Sequence, residues 1–255
     1  MAVVALTSAS GSPGATTTAL GLALLWPRPI LLVEADPTGG SGLLAGYFHG
    51  TREYEAGLIE LALTASNLSD ALADVARPIE GTTVSFVAGT RSHTQASALP
   101  DLWAPLAETL GELETSGQDV IVDAGRLGLH GSPDPLLDAA DLALLVSRTT
   151  LPNLSALRSW AEAFQRPALD WHQSALLLIG EGQPYSARDV TDAVNLPVLA
   201  SLPDDPESAA VFSCGAQPPK RFETGPLARA LQAAIASIHS TITLRRNELL
   251  AGARS

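Results

Sequence analysis

Residues 5–25, ALTSASGSPGATTTALGLALL, set a turn of glycine, serine and proline between an apolar run and a helical pattern. Gly11, Ser12, Pro13 and Gly14 make the turn, and Ala15, Thr16 and Thr17 open the helix. Such an arrangement suits an anion: backbone N–H groups at a helix N-terminus point at the ligand, and glycines let the backbone close around it. A hydroxyl at the position of Thr16 is the kind of group that ligates magnesium, and a lysine just before it would supply charge to phosphates. That position holds Ala15, and the chain's single lysine is Lys220. Any substitute charge must therefore come from an arginine. Taken alone, the turn also fits a purely structural strand-to-helix connection.

Two other stretches bring acids. LLVEADPTGG ends an apolar run with Glu34 and Asp36, and VIVDAGR ends another with Asp123. An acid after an apolar strand is where phosphate-handling enzymes hold magnesium or an attacking water. Each acid alone could do no more than cap the next turn; three strand-end features in chain order predict one site. Asp36 and Asp123 would be its active groups, with Thr16 and Asp36 on magnesium if a nucleotide binds. Glu34, two residues before Asp36, falls on the same strand face and could orient it. Arg126 and Arg148 are the cations placed to replace the missing charge.

The elements that must position these residues alternate along the chain. Strand-length apolar runs fall at 2–8, 29–35, 82–89, 119–125, 142–148, 174–180 and 197–203, and helical patterns at 16–26, 57–76, 101–114, 152–165, 186–194, 205–213 and 226–250. The runs are continuously apolar, as parallel strands covered on both faces require. The expectation is an α/β fold, a doubly wound, mostly parallel sheet with helices on both faces and ligands beyond the carboxyl ends of its strands. Residues 1–255 read as a single domain. The last helix packs on it through Leu227, Leu231, Ile235, Ile238 and Ile242.

Composition narrows the function. With 255 residues, 46% of them hydrophobic, the chain can bury a large core, and no apolar run is long enough to span a membrane. The formal charge of −12 argues against nucleic acid as a partner. One cysteine, Cys214, excludes an intrachain disulfide and reads as a small buried filler; the five histidines lack ligand spacing. The N-terminus shows no export signal, so the cytoplasm is the expected location.

SGSPGATT, LLVEADPTGG and VIVDAGR resemble the three nucleotide motifs of the ParA/MinD family of deviant-Walker P-loop ATPases. AADLALLVSRTTLPNLSALRSW and LPVLASLPDDPESAAVFSCGAQP are similar to later segments of that family, so the resemblance spans nearly the whole chain in order. It implies ATP or ADP with magnesium as cofactor and a homodimer as assembly. The chain departs from the family where charge matters. The family's first motif carries two lysines, one reaching the partner's phosphates and one its own; here these positions are Ser10 and Ala15, and the middle glycine is Ser12. The asparagine that reads adenine in the family has no counterpart in LLLIGEG.

A charge-assisted contact contributes about 1.5–3 kcal/mol, so losing the loop lysine should weaken binding roughly ten- to a hundredfold and cost more in the transition state. The resemblance is therefore to degenerate, TadZ/CpaE-like members, with an actinobacterial cast to the lysine-poor composition. It implies a pseudo-ATPase that localises other proteins, such as a secretion ATPase of Tad/Flp pilus machinery, at a pole or the inner face of the membrane. The alternative is an atypical but active ATPase in chromosome or plasmid partition or septum placement, for which TITLRRNELLAGARS offers a short amphipathic tail. A third reading, an amidoligase- or reductase-type relative, needs the loop lysine or interface cysteines that this chain lacks.

Overall fold

Runs in which every residue is apolar leave the chain no polar face to show to water, and they form the interior strands of one sheet. The computed structural model describes residues 2–11, 13–65, 67–113, 117–164 and 174–252. Along the chain run β1 (Val3–Ser8), α1 (Ala15–Leu24), β2 (Ile30–Glu34), a π-helical segment (Leu43–Tyr47), α2 (Leu58–Ala62), α3 (Leu68–Val75), β3 (Arg77–Pro78), β4 (Val84–Val87), α4 (His93–Ala96) and α5 (Pro100–Glu112). They are followed by β5 (Asp119–Arg126), α6 (Asp134–Asp138), β6 (Leu142–Arg148), α7 (Leu151–Phe164), β7 (Ser174–Ile179), α8 (Ala187–Val194), β8 (Val198–Leu202), α9 (Pro206–Ser213) and α10 (Pro226–Gly252).

The strands form an eight-stranded sheet in the order β3-β4-β2-β5-β1-β6-β7-β8. All neighbours are parallel except β3, which pairs antiparallel with β4. β3 was not expected; its two residues include Pro78, and an edge is where a sheet tolerates a residue without an N–H. The expected doubly wound α/β fold is present. β1 lies between β5 and β6, the place where winding reverses and the strand ends leave a crevice.

Alternate residues of each strand enter opposite cores. Val4, Leu6, Leu32 and Ile121 face α1, α9 and α10 through Leu20, Leu22, Phe212 and Leu231. Val3, Ala5, Val33 and Val122 face α5, α6, α7 and α8 through Trp103, Leu106, Leu137, Leu157 and Val190. Period-two alternation thus fixes which side each strand-end acid takes. The α10 stripe behaves as expected: Leu227, Leu231, Ile235, Ile238 and Ile242 are all buried.

Two expectations need correction. The single helix foreseen at 57–76 is two helices, because Asn67 restarts the chain as an N-cap, its side chain accepting from Ser69 N at 2.8 Å. Cys214 is exposed rather than buried, at the end of α9 where the chain turns away from the core. In the tail, Ile242 is buried and Arg246 Nη2 lies 2.8 Å from Asp141, while Leu244 and Leu250 are exposed; the side chain of Leu249 lies outside the described residues. Among the described residues no helix is long and apolar enough to cross a membrane.

Candidate functional site

The glycine turn leaves the end of β1 and delivers α1 beneath the neighbouring strand ends. Gly14 caps α1 with a left-handed backbone, φ 110°, and a Cβ there would lie 3.0 Å from Ile179 of β7, so this position calls for glycine twice over. Its carbonyl accepts the first helical bond from Thr18 N at 2.9 Å. Ser12 lies outside the described residues. The other expected loop residues, Gly11, Pro13, Gly14, Ala15, Thr16 and Thr17, line one open cleft of about 510 Å³ together with Asp36, Thr38, Gly125 and Arg126.

Strand parity sends the acids to the α1 side. Asp123 continues the face of Ile121 and Glu34 that of Leu32, and the two stand in register on adjacent strands. Asp123 is buried and receives a hydrogen bond from the Thr16 hydroxyl. Its Oδ1 also accepts from Gly125 N at 3.2 Å. Burial pushes its pKa up to about 6; the Thr16 bond opposes this, and the nearby charge of Asp36 adds to it. Asp36 sits just past β2, half-buried, and its Oδ1 accepts from Thr38 N at 2.8 Å, so it also caps its turn. Thr16, Asp36 and Asp123 therefore meet as the motif order predicts.

Gly125 makes this meeting possible. Its φ is +64°, and a Cβ added there would stand 2.4 Å from Asp36 Cγ, while its carbonyl accepts from Thr7 Oγ1 at 3.1 Å. Gly125→Ala is expected to displace Asp36 and to destabilise the fold by about 1–3 kcal/mol, the usual range for a strained backbone position. Urea denaturation would measure it; an unchanged midpoint would show that the turn relaxes freely.

Glu34 does not orient Asp36, contrary to expectation. Its Oε1 accepts from Leu43 N at 2.9 Å, and its Oε2 accepts from Gly89 N at 3.3 Å and from the Ser41 hydroxyl. It thus ties the π-helical segment to the sheet edge. Burial pushes its pKa up to about 7 against these three bonds, with Asp123 adding to the rise. Ser41 went unnoticed in sequence, although its place in the glycine-rich TGGSG after Asp36 is a usable signal.

The two positions where lysines were expected are built into the protein. Ala15 is 7% exposed and belongs to the α1-side core, with one edge on the cleft. Ser10 donates its hydroxyl to Asn153 Oδ1 of α7, and Asn153 Nδ2 in turn donates to Thr150 Oγ1 at 2.7 Å. Asn153 was also missed; nothing in TTLPNLS marks it before the fold brings α7 to the loop. Of the two substitute cations, Arg148 is engaged elsewhere, its Nη1 2.7 Å from Asp204 Oδ2. Both members of that pair line a second hollow of about 300 Å³, on the other side of Pro13 and Gly14, with Ile179 and Phe212. Arg126 stays on the first cleft.

An eight-stranded sheet with this strand order and these flanking helices has counterparts among solved structures. The chain superposes on a structure of the MinC:MinD cell division protein complex of Aquifex aeolicus with a TM-score of 0.74 at 15% identity, covering 94% of this chain and 96% of that one. The fold is that of the MinD and ParA ATPases. Septum site-determining protein MinD of Pyrococcus horikoshii OT3, complexed with Mg-ADP, gives a TM-score of 0.71 at 17% identity over 93% of this chain and 95% of that one. The ParA family ATPase of Chlorobium tepidum TLS gives 0.70 at 14% identity over 93% and 99%. No family model matches the sequence, and no curated protein matches it. At these identities the likeness is one of fold, and the MinD/ParA fold is what the site must be read against.

The donor set fits magnesium carried on a nucleotide. A threonine hydroxyl and one or two carboxylates are hard oxygen ligands, and magnesium usually keeps its remaining positions for water and phosphate. Among the described residues no three His, Cys, Asp or Glu side chains are grouped to hold a metal by themselves. Thr16 and Asp36 would hold the ion, with Asp123 behind Thr16. The ion would offset the charge of the phosphates and of these acids.

Proposed function

We propose that this chain is a non-hydrolysing protein of the MinD/ParA fold, which holds nucleotide phosphates weakly and works as a localisation or scaffold factor. The observation that carries the proposal is Ala15: where a lysine would meet the phosphates, a methyl group packs into the core beside the cleft. Backbone N–H groups, Thr16, Asp36 and Asp123 can still receive a magnesium nucleotide, but the charge that would stabilise a phosphoryl-transfer transition state is gone. Ser10 is uncharged and tied to Asn153 within its own subunit, so that position offers no cation to cross a dimer interface. We therefore expect a homodimer whose formation does not depend on nucleotide.

The fold supports protein partnership, since the Aquifex aeolicus structure is of a MinC:MinD complex. The resemblance to TadZ/CpaE-like proteins points to a secretion ATPase of Tad/Flp type as the partner, with recruitment to a pole or the inner face of the membrane.

Calorimetric titration with Mg-ATP, alongside a phosphate-release assay, tests the reading. The wild type should bind weakly without turnover, and Ala15→Lys should tighten binding by roughly ten- to a hundredfold. Sustained turnover by the wild type, or an ATP-driven doubling of mass in sedimentation, would return the chain to the active partition-type ATPases.

A further inference from the structure

Arg126 is the last residue of β5 and stands in register with Ser8, so it leaves the sheet beside the start of the glycine loop. Its side chain is exposed, and Nη1 lies 3.9 Å from the point where a Cβ on Gly11 would stand. It shares the cleft with Ala15, Thr16 and Asp36. Other arginines of the chain are drawn to carboxylates: Arg28 to Asp119, Arg77 to Glu55, Arg148 to Asp204 and Arg246 to Asp141. Among the described residues no acid pairs with Arg126. Arg126 is thus a cation on the wall of the cleft, beside the backbone of the glycine loop and committed to no carboxylate among the described residues.

We infer that Arg126 is the phosphate-binding cation of this cleft, contacting the terminal phosphoryl oxygens of a magnesium nucleotide from the β5 side, within the same subunit. This rests on the proposal that the cleft takes nucleotide phosphates. Arginine chemistry suits such a contact, because a guanidinium stays charged in any surroundings and its fork of N–H donors matches two phosphate oxygens at once. Arg126 leaves β5 beside the start of the glycine loop, so it reaches the cleft from the β5 side and not from the N-terminus of α1, where a loop lysine would stand.

The test uses the full chain and two probes, Mg-ADP and inorganic tripolyphosphate with magnesium, titrated at two salt concentrations into wild type, Arg126→Ala and Arg126→Lys. Arg126 is exposed and bonded to no acid among the described residues, so the thermal midpoints of the variants should match that of the wild type. Arg126→Ala should bind both probes at least roughly tenfold more weakly and lose part of the salt dependence, and Arg126→Lys should recover part of the loss. Wild-type binding that Arg126→Ala leaves unchanged would overturn the assignment and leave the phosphate cleft standing. If the wild type binds neither probe, the phosphate reading falls and this assignment falls with it.

Discussion

A chain carrying Ser10→Lys and Ala15→Lys together is expected to hydrolyse ATP at least roughly a hundredfold faster than the wild type. The other residues of the phosphate site already stand together. Thr16 bonds Asp123, Asp36 lies beside them, and Gly14 supplies the left-handed cap that starts α1. Ala15 already borders the cleft, so a longer side chain has a path from the core edge to the phosphates. At position 10 the lysine would give up only the hydroxyl bond to Asn153, which keeps its own bond to Thr150. Removing one preorganised donor from a site of developing negative charge typically costs about 10²–10³ in rate, and restoring two should return at least the smaller figure. Phosphate release measured over protein concentration would also show whether position 10 acts across a dimer, since only then does the rate rise faster than the concentration. Asp36→Asn in the double-lysine background should bring turnover back to baseline. If wild type and the double variant turn over equally, the lysines are not what the site lacks.

What the sequence disclosed and what it hid follow from physics at different ranges. Continuous apolar runs identify interior parallel strands, and the sheet of β1, β2, β5, β6 and β7 was legible for that reason. The meeting of Thr16, Asp36 and Asp123 was legible too, because all three leave carboxyl ends of strands and parallel strands share one such edge. The same parity argument placed Glu34 correctly on that face but assigned it the wrong contact. Its partners are Ser41, Leu43 and Gly89, and the path of the π-helical segment that brings the first two is set by tertiary packing. The bond from Ser10 to Asn153 spans 143 positions, and no local pattern announces it. The break between α2 and α3 was readable after all, since Asn67 is a strong N-cap, but the apolar period on either side outweighed it. Arg126 and Arg148 looked equivalent in sequence. Only the fold separates them, by giving Arg148 the acid Asp204 and leaving Arg126 on the cleft.

Glu34 should make the protein lose stability as pH rises through neutrality. The carboxyl titrates at about 7 in the folded protein against 4.5 ordinarily, so between those values the folded state holds a proton that the unfolded chain has released. Stability is then fully present below 4.5 and declines until the folded group has ionised, above about 7. A shift of that size is worth about 3 kcal/mol, an order-of-magnitude figure. Asp123 acts in the same direction but over a lower window, from 3.8 to about 6. The two acids can therefore be separated by where the decline stops. Urea denaturation in magnesium-free buffer from about pH 4 to about pH 9 should show the wild type weakening until about pH 7 is passed. In Glu34→Gln, which keeps the side chain's shape but cannot ionise, the decline should end near pH 6, where Asp123 titrates. Superimposable profiles would mean that the bonds from Ser41, Leu43 and Gly89 hold the carboxylate charged and outweigh its burial. A decline that ends earlier in the variant would show a buried acid retained at a cost to the fold.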